Sequence, residues 1–172
     1  MQSQYDVIQA RIAELDLEPI MFKVVKEHGF SEQKVRTIEK WYRRFLFLTF
    51  KYTDRPIVVS EAIDTFWHQH ILDTRKYADD CQTVFGGFLH HFPYFGLRGE
   101  EDQRALRVAH LATLALMQSE YGETPEADLA ALGSAPYDIE AASSCSDCSG
   151  ETGIESQLFR DRPGLTSATA VN

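Results

Sequence analysis

Between Glu32 and Tyr52, apolar and aromatic side chains recur at three- and four-residue steps: Val35, Ile38, Trp41, Tyr42, Phe45, Leu48 and Tyr52. Residues three and four apart share one face of an α-helix, so this run predicts a helix with a continuous apolar stripe. Leu46, Phe47 and Phe50 widen the stripe, and the helix is expected to be buried over much of its girth. Ser31 suits the N-cap and Glu32 the first turn, where a hydroxyl accepts an orphan N–H and an acid meets the positive end of the helix.

The remainder supplies helices to cover that stripe. Val7, Ile8, Ile12, Leu15 and Leu17 mark a helical face over residues 4–17. Pro19 opens a short helix to His28, with Gly29 suited to the left-handed position beyond its end. After a break carrying Asp54 and Pro56, Ser60 is read as the cap of one long helix running to Phe85 and stopping at Gly86-Gly87. Phe88 to Gly96 reads as an aromatic loop punctuated by Pro93. Leu106, Ala109, Thr113 and Leu116 stripe the next helix, from Gly99 to Tyr121, and Thr124-Pro125-Glu126 opens a last short one. The expected fold is all-α: an irregular bundle of five to six helices over residues 1–133. Residues 134–172 turn to Ser, Ala, Gly and acid with no apolar period, and read as a disordered acidic flexible tail containing Cys145-x-x-Cys148.

Charge narrows the function classes. The formal net charge is −9 over 172 residues, which argues against nucleic-acid binding through a basic surface. From Gly122 onward nine acids face two bases, a net −7, so the body before it is near −2. No stretch nears the roughly 20 apolar residues that span a bilayer, and the charged N-terminus does not read as a signal peptide. Three cysteines do not make a disulfide scaffold, and a reducing, cytoplasmic setting is the expectation. Phosphate-binding glycine loops, a nucleophile elbow and His-Glu-x-x-His are absent from the sequence.

Chemistry concentrates between Asp64 and Phe95. Four of the six histidines, His68, His70, His90 and His91, lie there with Asp64, Asp73, Tyr77, Asp80 and Cys81. Imidazole, carboxylate and thiolate are the groups that bind transition metals. Each helical residue turns about 100°, so His68 and His70 point roughly 200° apart and cannot share an ion on a regular helix. Asp64 and His68, four apart, share one side; His70, Asp73 and Tyr77 share another. Either side would need His90 or His91 folded back from the loop. The plain reading beside this is that each histidine is a buried polar group paired with a carboxylate or carbonyl. Cys145-x-x-Cys148 is half of a zinc pattern, or simply two free thiols in a tail.

Residues 41–50, the run from Val59 to Thr74 with Asp64-x-x-Trp67-His68-x-His70, then Tyr77, Asp80-Cys81, Phe85-Gly86 and His90-His91 resemble the glycine-rich domain-containing protein family. Its members share an aspartate before Trp-His-x-His, a downstream Tyr and Cys, and a Gly followed by a His. The resemblance covers residues 41–95, and by spacing from Gly86 it equates His91 with the family histidine and leaves His90 as an extra one. Phe92-Pro93 stands where many members carry acids. Bacterial relatives often end in a Gly/Ser/Cys-rich tail, of which residues 143–150 look like a short version. The resemblance implies a helical fold and no particular reaction.

Two functions are therefore carried forward. In the first, a zinc or iron ion is held by His68 or His70 with His91, Asp64 orients a ring nitrogen, and Tyr77 and Cys81 line the cavity. An open coordination position would make a metal-dependent enzyme acting on a small molecule; a closed one would make the metal structural. In the second, the histidines are core polar pairs and the domain is a non-catalytic protein-interaction module.

Overall fold

A computed structural model describes residues 3–132, 145–147 and 162–163. In chain order the elements are α1 (Gln4–Ala13), α2 (Glu18–His28), α3 (Glu32–Lys51), α4 (Glu61–Leu72), α5 (Thr74–Phe85), β1 (His90–Phe92), α6 (Glu100–Tyr121), α7 (Pro125–Ala130) and β2 (Cys145–Asp147). The class is all-α, with seven helices and one two-stranded antiparallel ribbon among the described residues. No helix among them is long and apolar enough to cross a membrane.

α3 is the hub. Trp41, Tyr42, Phe45 and Leu48 are fully buried, and α1, α2, α4 and α7 pack around them. Burying each such side chain is worth about 1.5–3 kcal/mol, which explains why the widest apolar stripe sits innermost. Its polar rim ties the surrounding helices down. Ser31 Oγ accepts from Lys34 N at its start, and the Arg43 guanidinium donates to the carbonyls of Ile12, in the last turn of α1, and Leu15, just past its end. Trp41 Nε1 and Lys40 Nζ both donate to Asp128 of α7, at 2.8 and 2.6 Å. Lys51 and Tyr52 reach Glu120 on α6.

The long helix expected from Ser60 to Phe85 is two helices. Asp73, with φ −85° and ψ 72°, leaves the helical region and separates α4 from α5. The reason is visible in what the break allows. Residues ten apart on one straight helix are about 15 Å apart along its axis. Here Trp67 Nε1 lies 2.9 Å from Tyr77 Oη, and His70 Nε2 lies 3.0 Å from Asp80 Oδ2. α5 therefore folds back onto α4, and these buried polar contacts outweigh one unbroken helical ladder. That division raises the helix number to seven.

A smaller apolar cluster, Val58, Phe92, Phe95 and Leu106, seats β1 and the following turn on α6. Gly96 makes the turn possible: its φ is 90°, and a Cβ there would stand 2.6 Å from Leu106 Cδ2. Asp102 closes the turn by accepting from the Gly96 and Arg98 amides and from the Arg98 guanidinium. The loop read as aromatic thus contains a strand, paired antiparallel with Cys145–Asp147 so that His91 sits opposite Ser146 and Phe92 opposite Cys145. Apart from Arg162 and Pro163, the rest of the expected tail, Cys148 included, lies outside the described residues.

Candidate metal centre

α4 and β1 build the site together. Asp64 and His68 are one turn apart on α4, so their side chains rise on the same side of the helix. His91 arrives from β1, where Phe92 faces the core and His91 is partly covered. His91 Nε2 lies 3.3 Å from Asp64 Oδ1, and His68 Nδ1 lies 3.1 Å from Asp64 Oδ2 and 2.9 Å from the Asp64 carbonyl. The two imidazoles meet nearly edge to face, 4.5 Å between ring centroids. One ligand atom from each of Asp64, His68 and His91 falls within 4.8 Å of the others. It is a cluster able to hold a metal ion.

The surroundings are unequal. The side chains of His91 and Asp64 are 9 % and 11 % exposed, whereas that of His68 is 45 % exposed, so the cluster opens to solvent on the His68 side. Trp67 closes the inner side, its ring 4.6 Å from that of His91 and 5.0 Å from that of Phe45. Burial pushes the Asp64 carboxyl up, but the hydrogen bonds from His68 and His91 outweigh it and hold the group below its ordinary value. The reciprocal bond to Asp64 raises His68 above the usual imidazole range against partial burial. Asp64 is thus a carboxylate at neutral pH, ready to accept either a proton-bearing imidazole or a cation.

His70 is not brought to this cluster. Its Nδ1 lies 2.9 Å from the Tyr42 hydroxyl and its Nε2 3.0 Å from Asp80 Oδ2, while Lys76 Nζ reaches the same Asp80 oxygen. Burial lowers the affinity of His70 for a proton, although Asp80 opposes that shift. Both ring nitrogens have protein partners, so His70 serves the core as a polar pair. Asp64, expected to orient a ring nitrogen, stands between the two histidines with one oxygen toward each. Tyr77 stands behind Trp67, accepting from its indole N–H and donating to the Leu89 carbonyl at 2.6 Å. Cys81 is buried beside Tyr77 and Leu89, and its burial pushes the thiol pKa up, away from thiolate chemistry. His90 is exposed on β1.

Two buried polar contacts carry no sequence signal of their own. Tyr42 was visible only as part of the α3 stripe, with no signal that its hydroxyl would find His70. His110 was missed because the α6 stripe is rotated from the expected one: Leu106, His110, Thr113 and Met117 face inward. His110 Nδ1 donates to the Val58 carbonyl and Thr113 Oγ1 accepts from Val58 N, so α6 holds the extended segment before α4. Burial lowers the His110 pKa, with the hydrogen bond to the Val58 carbonyl opposing the shift.

No curated protein and no solved structure matches the chain. One family model matches, UCP032817-like, over residues 9–116. This overturns the expected membership of the glycine-rich domain-containing family. That resemblance rested on residues around one Trp-His-x-His element, whereas the match runs from α1 into α6 and takes in the whole frame of the site. With well over half its length matched, the chain belongs to the UCP032817-like family.

Proposed function

We propose that the chain is a divalent-metal protein with Asp64, His68 and His91 as ligands to zinc or iron. One observation carries the reading: ligand atoms from two separate elements, one helix and one distant strand, lie within 4.8 Å of one another around a shared carboxylate. Two imidazoles and one carboxylate are the ligand set of open zinc sites and of non-haem iron(II) sites. Relative to the set expected from sequence, His70 is replaced by Asp64. The half-exposed His68 side leaves room for water or a small molecule at the remaining coordination positions. An ion held there would act as a Lewis acid on that bound molecule, which makes a metal-dependent enzyme the functional class.

A second reading has its own support. Each Asp64 oxygen already accepts from one imidazole, so the trio is satisfied as a buried polar pairing without an ion. On that reading the domain is a protein-interaction module and the acidic segment after α7 recruits its partner. Metal content after zinc loading and dialysis separates the two. The metal reading expects about one ion per chain, lost in His68→Ala and in His91→Ala. Unchanged metal content in both variants, with both melting at lower temperature, supports the interaction module instead.

A further inference from the structure

We infer that Tyr77 is the positioning residue of the metal centre, its hydroxyl locking the strand that carries His91 to the helix that carries Asp64 and His68. The inference rests on the metal reading above. The two halves of the centre are far apart in sequence, His91 being 27 residues from Asp64. The connection between them passes through Gly86, which turns with φ 73°, and Gly87. Something must fix where β1 lands, because an imidazole displaced by an ångström no longer converges with its partners.

Tyr77 does this with one oxygen. It accepts the Trp67 indole N–H at 2.9 Å, and Trp67 directly precedes His68 on α4. It donates to the Leu89 carbonyl at 2.6 Å, and Leu89 directly precedes β1. All three residues are buried: Trp67 is 0 %, Tyr77 1 % and Leu89 3 % exposed. The same indole lies against the His91 ring, so the hydroxyl sets both the backbone that delivers His91 and the wall it rests on. Hydrogen bonds in such a water-excluded place are directional and costly to leave unmade. A phenylalanine ring in the same position would fill the space and hold neither partner.

The test is cobalt(II) affinity and the visible d–d spectrum of the full chain, wild type against Tyr77→Phe, with Tyr42→Phe as control. Tyr42 is as buried as Tyr77 and its hydroxyl contacts His70, away from the cluster. Removing a direct outer partner of a metal ligand weakens binding about 10- to 100-fold, and Tyr77, which acts through Trp67 and Leu89 rather than on a ligand, is expected at the low end, about tenfold. Tyr77→Phe is expected to show that loss and an altered d–d band, and Tyr42→Phe to lower the melting temperature while keeping wild-type cobalt affinity. Wild-type affinity in Tyr77→Phe, or an equal loss in both variants, overturns the positioning role and leaves the metal reading standing. Failure of the wild type to bind cobalt overturns both. Should Tyr77→Phe not fold, the Trp67 indole N–H resonance of the wild type decides. A shift on adding zinc supports the coupling between indole and ligand, and an unmoved signal refutes it.

Discussion

Asp64 is the residue on which the cluster turns, because it is the only anion between two imidazoles in the trio. Its pKa is lowered, so its stabilising contribution is present above the ordinary carboxylate value near 4 and is lost as pH falls through the folded value. The His68 pKa is raised, so its contribution is complete below about 6.5 and is lost as pH rises through the folded value. In metal-free protein the pair therefore stabilises most between about pH 4 and pH 6.5. Because His68 is half exposed, its share is discounted for solvent screening. Asp64→Asn is expected to cost about 1–3 kcal/mol in that window, read by urea unfolding in the presence of a chelator, with the gap narrowing at alkaline pH. A gap independent of pH contradicts the assignment. His70 makes the opposite case. His70→Ala takes the imidazole partner from the buried Tyr42 hydroxyl and leaves Asp80 to Lys76, and is expected to lower stability by about 2–4 kcal/mol while leaving zinc content at the wild-type level. Loss of zinc in that variant would return His70 to the ligand set.

Elements were legible where period and punctuation agreed. The α3 stripe, the Ser31 cap, the left-handed Gly29 and Gly86 and the proline at the start of α2 and α7 all follow from local rules, and each is found in place. The break at Asp73 was not legible, because the apolar period runs through it and its cause is a pair of contacts across ten residues. β1 was hidden for a related reason: a three-residue strand has too few positions for an alternation to register, and its partners are 53 to 57 positions away. The divergence of His68 and His70 could be read from helical geometry, whereas the arrival of His91 at Asp64 rather than at His70 required the fold. β1 now carries a prediction at its own level. A chain ended at Leu132 lacks β2, so the amides of His90–Phe92 are expected to lose hydrogen-exchange protection while α3 and α4 keep theirs. Losing the equivalent of one backbone hydrogen bond at the site, about 0.5–1.5 kcal/mol, should also weaken zinc binding roughly two- to tenfold. Unaltered protection at β1 would show that the ribbon does not hold it.

The whole molecule is a helical frame in which one buried helix fixes everything else. α3 sets the position of α4 through Phe45 against Trp67 and Tyr42 against Phe66, and α4 in turn presents Asp64 and His68 outward. α6 holds the segment before α4 and the turn after β1, so both supports of the site lean on the same helix. The formal charge before Gly122 is near −2, so most of the chain's net acidity lies outside the helices that build the site. X-ray absorption of the zinc-loaded chain decides whether an ion sits between α4 and β1 on two imidazoles and a carboxylate. The expected first shell is nitrogen and oxygen at about 2.0–2.2 Å with the outer-shell scattering of two imidazoles. A shell of oxygen alone, or one dominated by sulfur at about 2.3 Å, would contradict it.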